Sequence, residues 1–138
     1  MLNIHLNILA ILVSAIAAFV IGALWYSPIL FGKIWMKAHA FSPEKAEELK
    51  KTATRAFMVS FLCLLVMAVV MAVLVHHTGI VRVLGGAKLG VLCWAGFAAT
   101  NGLTAKMFSG KAFSIFLIDA AYQLVSLVLM GCILAAWK

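Results

Sequence analysis

The stretch FMVSFLCLLVMAVVMAVLV, residues 57–75, decides the fold class. It holds no Asp, Glu, Lys or Arg, and as a helix it is apolar all round. A helix in a soluble bundle keeps a polar face toward water. A bilayer span instead needs ~20 mostly apolar residues. Working outward, residues 1–32, 89–105 and 120–137 are equally free of Asp, Glu, Lys and Arg. The reading is therefore all-α: an integral membrane four-helix bundle, with a short amphipathic segment between helices 1 and 2. The expected spans are about 4–26, 54–77, 87–108 and 112–137, forming one transmembrane domain over residues 1–138.

Composition agrees. The chain is 66% hydrophobic and 11% charged, whereas soluble domains carry roughly 25% charged residues. The longest polar stretch, residues 33–55, is too short for a soluble domain. The net charge of +7 does not indicate a nucleic-acid partner, because no basic surface is interleaved with aromatic residues. The expected partner is the lipid bilayer, where basic residues set orientation.

Local signals punctuate the spans. Ser27-Pro28 ends helix 1, because the residue before proline is pushed out of the helical region. Residues 29–40 then read as interfacial, with Trp35 at headgroup depth and Lys33 and Lys37 reaching water. Ser42-Pro43-Glu44 opens a short helix through an N-cap serine and a first-turn proline, and Glu47 and Lys51 are spaced for a weak ion pair. That helix is expected to run into helix 2. Thr78-Gly79 closes helix 2, Gly85-Gly86 separates a loop from helix 3, and Ser109-Gly110 turns the chain into helix 4. Helix 1 reads as an uncleaved helix and not as a signal peptide, since no Lys or Arg precedes its long apolar run.

Charge asymmetry predicts orientation. Lys33, Lys37, Lys45, Lys50, Lys51 and Arg55 join helices 1 and 2, while Lys106 and Lys111 join helices 3 and 4. Arg82, Lys88 and Lys138 fall on the other side. Positive loops stay in the cytoplasm. The expectation is a multi-pass protein of the inner (cytoplasmic) membrane with both termini outside the cytoplasm.

The run GALWYSPILFGKIWM, residues 22–36, and the last helix from Asp119-Ala120-Ala121-Tyr122-Gln123 through Met130-Gly131 to Trp137 resemble a bacterial family of small four-helix membrane proteins, domain of unknown function 1761. The resemblance covers most of the chain. It implies a four-helix membrane fold and supplies no activity, substrate or site residues.

Asp119 is the most informative side chain, the one acid within a predicted span. It lies about seven residues into helix 4, or ~10 Å. A charge in mid-span costs roughly 2.5–3.5 kcal/mol on insertion scales, so Asp119 should face protein or water. Tyr122, Gln123 and Ser126 share its face. Asn101 and Thr104 of helix 3 fall at similar depth, and with Tyr26 they complete the expected polar pocket. Two readings stay open. Asp119 takes up protons or a cation during transport, or it is tied to Asn101, Tyr26, Arg55 or Lys106 and fixes packing.

Three further features are weaker. Ser14, Ala18 and Gly22 form a small-residue stripe on helix 1, which lets helices approach closely within a chain or between chains. His5, His76 and His77 fall at the outer face and are the candidate metal ligands, although adjacent histidines diverge by about 100° on a helix. Cys63, Cys93 and Cys132 read as buried small hydrophobes; Cys93 and Cys132 fall at comparable depth, but nothing in the sequence demands a bridge. No phosphate loop, nucleophilic triad or His-x-x-x-His occurs, and no cofactor is called for. Three function classes follow: a transporter or channel-like protein using the Asp119 pocket; a structural or interaction protein forming a homo-oligomer; and a membrane-embedded metal or haem enzyme. The substrate is not legible.

Overall fold

The computed structural model describes residues 5–137. The expected start of helix 1 at Ile4, and Lys138 of the orientation count, lie outside them. The first apolar helix, α1, spans Ile8–Trp25, and the Asn7 side chain caps it by accepting from the Ala10 N–H at 3.1 Å. A tight elbow follows, in which the Phe31 N–H donates to the Trp25 carbonyl and the Gly32 N–H to that of Ser27. A Cβ on Gly32 would overlap the Tyr26 and Ser27 carbonyls, so the elbow requires glycine there. Two short helices come next, α2 (Gly32–His39) and α3 (Pro43–Lys51). The Ser42 hydroxyl caps α3 at the Lys45 N–H.

The second apolar helix, α4, spans Ala53–His77. It is not continuous with α3, contrary to the expectation from sequence. Thr52 interrupts the two, and its hydroxyl bonds back to the Glu48 carbonyl at 3.3 Å, a local alternative to the helical pattern. Glu47 pairs with Lys50 rather than Lys51, at 3.8 Å on an exposed surface.

The third apolar element runs Val83–Ser109 as α5 (Val83–Cys93), a π turn (Trp94–Ala98) and α6 (Ala99–Ser109). Gly85 and Gly86 lie inside it and not before it. Their low helix propensity is overridden because Gly86 packs backbone to backbone against Gly131, where neither residue has room for a Cβ. The last helix, α7, spans Phe113–Ala136.

The described chain is all-α, with four helices long and apolar enough to cross a membrane. It is a membrane-spanning protein. α7 is the central post, touching α1, α4 and α5, with α2 laid across its N-terminal half. Lipid is as apolar as leucine, so packing here comes from close approach and polar bonds. The most deeply buried residues accordingly include several small ones, Ala10, Ser14, Ala15, Ala18, Ala68 and Ser126, beside Met71, Val75 and Met130, with Ile11, Leu64, Leu127 and Leu134 packed around them. The α1–α4 and α6–α7 connections meet at one end, the basic end. His5 and His76 mark the other.

Candidate functional site

Four aromatic side chains converge on one stretch of α7, and a fifth, Tyr122, reaches out from it. The Tyr26 hydroxyl donates to Asp119 Oδ1 at 2.6 Å, and the Trp35 indole N–H donates to the same oxygen at 3.1 Å. The Trp25 indole donates to the Ile118 carbonyl at 3.1 Å and the Trp94 indole to the Ala120 carbonyl at 2.8 Å. The Tyr122 hydroxyl donates across to the Ala18 carbonyl at 2.8 Å. Three of the chain's four tryptophans thus donate to three successive residues, Ile118, Asp119 and Ala120. Indole N–H groups need partners when removed from water, and α7 supplies them.

The elbow explains how Tyr26 and Trp35 reach one carboxylate. Tyr26 caps α1 and Trp35 sits one turn into α2, and the reversal through residues 27–31 brings their rings to 5.6 Å, edge to face. Trp35 was expected at the lipid headgroups. Its ring turns toward α7, where the indole N–H finds the Asp119 carboxyl oxygen.

Asp119 has no basic side chain within ion-pair distance among the described residues; the two ion pairs there are on α3 and fully outside the site. Of the four partners expected for Asp119, Tyr26 bonds to it, whereas Arg55, Lys106 and Asn101 do not, and Trp35 is the second donor. Lys106 lies over the Phe113 ring at 5.8 Å instead.

Asn101 and Thr104 do not join the pocket. Both are exposed, and the Thr104 hydroxyl returns to the Thr100 carbonyl. The π turn is the physical reason. It adds one residue to a turn, rotating everything after it by about 100° relative to an unbroken α-helix. Gly102, against Phe116, and Lys106 face α7 in place of Asn101.

Two grooves flank Asp119. The one at the basic end, about 290 Å³, is lined by polar and charged groups including His39, Lys106, Lys111 and Gln123. The other, about 430 Å³, opens laterally between α1, α4 and α7 and includes Tyr26 and Tyr122. Asp119 and Trp35 line both, so they form the partition between them. His39 was not singled out in the sequence. Its ring stacks on Phe41 at 4.8 Å and abuts Trp35 at 4.1 Å, and its buried Nε2 has no hydrogen-bond partner. Burial lowers its pKa, nearby Lys111 lowers it further, and Asp119 opposes both.

The small-residue stripe is used within the chain. Ser14 and Ala18 are fully buried, and Gly22 makes room for Tyr122, whose hydroxyl would lie 2.8 Å from a Cβ placed there. Gly22 thus belongs to the site, and helix 1 offers no free stripe to a second copy.

A profile of the family described as "Protein of unknown function (DUF1761)" matches residues 9–135. The chain belongs to the DUF1761 family. No curated protein and no solved structure matches it. Trp25, Tyr26 and Trp35 of this DUF1761 chain, three of the aromatic residues in the stretches that carry the resemblance, grip α7 at Ile118 and Asp119.

At the opposite end, His5 and His76 share a groove of about 110 Å³, and His77 does not line it. That space is far smaller than a haem, and the described residues contain no group of three His, Cys, Asp or Glu placed to hold a metal. The cysteines are free and not buried as expected: Cys63 is exposed, Cys93 and Cys132 are partly so, and Cys132 faces the Val83 carbonyl, about 15 Å of helix from Cys93.

Proposed function

We propose that this protein is a small transporter or channel-like membrane protein whose working group is the Asp119 carboxylate. The observation that carries this reading is the partition. An intramembrane acid, unpaired with any described cation, separates a groove at the basic end from a lateral groove. Ionisable residues placed this way in membrane helices mark proton and ion pathways. Two hydrogen bonds, from Tyr26 at the end of α1 and from Trp35 on α2, hold the partition closed. The arrangement suits a gated site better than an open pore.

A second reading has its own support. The same two hydrogen bonds tie α2 and the elbow to α7, so Asp119 also serves as a structural latch. Dicyclohexylcarbodiimide, which couples to protonated carboxyl groups in apolar surroundings, separates the two. A working site labels stoichiometrically at Asp119, by peptide mass, and Asp119→Asn abolishes the label. Failure to label in folded protein would leave the latch alone.

Orientation follows from the loop charges: the basic end belongs in the cytoplasm of an inner membrane, with both termini outside. A cysteine at Lys45, in a background free of other cysteines, should react in intact cells only with membrane-permeant thiol reagents. Reaction with an impermeant reagent would reverse the assignment.

A further inference from the structure

The two grooves differ in chemistry, and the difference points to a ligand. Both lysines at the site, Lys106 and Lys111, line the groove at the basic end. The lateral groove has one charged lining residue, Asp119, and its walls are largely aromatic. Phe19 and Phe57 meet edge to face with centroids 6.2 Å apart, and Tyr26 meets Trp35 at 5.6 Å and Tyr122 at 5.7 Å. The Asp119 oxygen not bonded to Tyr26 and Trp35 has no hydrogen-bond partner among the described residues.

We infer that the lateral groove binds a monovalent lipophilic organic cation, a bulky ammonium or phosphonium with apolar substituents. Its charge lies against Asp119 and the aromatic faces, and its apolar body fills the space lined by Phe57 and Leu64. The inference rests on Asp119 being the working carboxylate and names the class of substrate for it. Aromatic faces attract cations, most strongly where water is excluded, and they favour soft, weakly hydrated ones. A hard metal cation needs several oxygen ligands, and this wall offers one carboxylate, two phenols and the Ser60 hydroxyl. An anion would meet the carboxylate. A lipid tail would leave that carboxylate facing hydrocarbon, which is costly. Ala23, Phe57 and Ser60 on its rim are exposed on α1 and α4, two of the apolar helices, so an amphiphile dissolved in the bilayer would enter from the side.

Equilibrium dialysis of the purified protein in mild detergent tests this, with tetraphenylphosphonium as probe and tetraphenylborate as an anion of the same shape. The cation should bind saturably, at least about tenfold more tightly than the anion. Asp119→Asn should weaken it by a similar factor. Ala23→Phe, which fills the groove without touching the carboxylate, should do the same with an unchanged melting temperature, and this covers the case in which Asp119→Asn fails to fold. Equal affinity for both ions, no saturable binding, or unchanged affinity in both variants would overturn the inference. Protection experiments separate it from the reading beneath it. If dicyclohexylcarbodiimide labels Asp119 but tetraphenylphosphonium neither binds nor slows labelling, the cation class is wrong and the working carboxylate stands. If Asp119 does not label, both fall.

Discussion

The two halves of α7 are built on opposite plans. In the C-terminal half, Gly131 meets Gly86 and the Leu127 carbonyl lies against Gly90, so two backbones touch with no side chain between them. Ala135 closes against Gly86 beside this contact, and Met130 and Leu134 are buried in the same half. In the N-terminal half, large aromatic side chains hold the neighbouring helices at arm's length. They reach α7 through hydrogen bonds, and grooves remain on both sides of Asp119. Close packing leaves no room for a ligand. Polar struts cost packing but leave space around a carboxylate, which is where chemistry can occur. One helix thus carries the scaffold at one end and the site at the other.

The largest effect should come from the packed half. Gly131→Leu forces side-chain atoms into the Gly86 backbone, which cannot yield as a flexible side chain can. A loss of about 3 kcal/mol or more is expected, read as a lower melting temperature in detergent. Gly96→Ala, at a glycine with open space around it, should leave melting unchanged or raise it. Equal effects from the two changes would mean that the tight contact is not structural.

In the strutted half the decisive variable is hydrogen bonding, not volume. Asp119→Leu strands the Tyr26 hydroxyl and the Trp35 N–H, both part-buried, at about 1 kcal/mol for each. Asp119→Asn retains an acceptor oxygen, so its cost should be about 1 kcal/mol. If asparagine proves as damaging as leucine, a charge-dependent partner such as Lys106 must be restored to the account.

A smaller effect tests whether the stripe on helix 1 belongs to scaffold or site. Gly22→Ala places a methyl group against the Tyr122 hydroxyl and displaces it from the Ala18 carbonyl. The expected loss is about 1 kcal/mol, one hydrogen bond. In a double-mutant cycle with Tyr122→Phe the two losses should not add. Additive losses would return Gly22 to helix packing alone.

The smallest effect is pH dependence at α2. Burial and Lys111 weaken proton binding by His39 in the folded state, with Asp119 opposing in part. Below the ordinary value of 6.5 the unfolded chain therefore binds more protons than the folded one, so stability falls as pH drops through 6.5. Above 6.5 this contribution is flat. The protection of α2 amides against hydrogen exchange, measured relative to the intrinsic rate at each pH, should fall on acidification in the wild type, and His39→Gln should remove that dependence. An identical response in the variant would assign it elsewhere.

The apolar helices and the isolation of Asp119 follow from composition and order alone, because a run without charges is excluded from water whatever surrounds it. The same holds for the serine cap of α3 and the glycine turns, which are local chemistry. What the tertiary structure decided is which side chains face one another. Residues 22–36 carried the family likeness, yet only folding the elbow over α7 shows that Tyr26 and Trp35 share one carboxylate oxygen. Spacing on an ideal helix brought Asn101 to Asp119, but the π turn rotated it away, and no residue in WAGFA announces such a turn. Gly85-Gly86 read as a break because propensity is a local quantity. The contact with Gly131 that overrides it is long-range, and long-range contacts are decided by the whole fold.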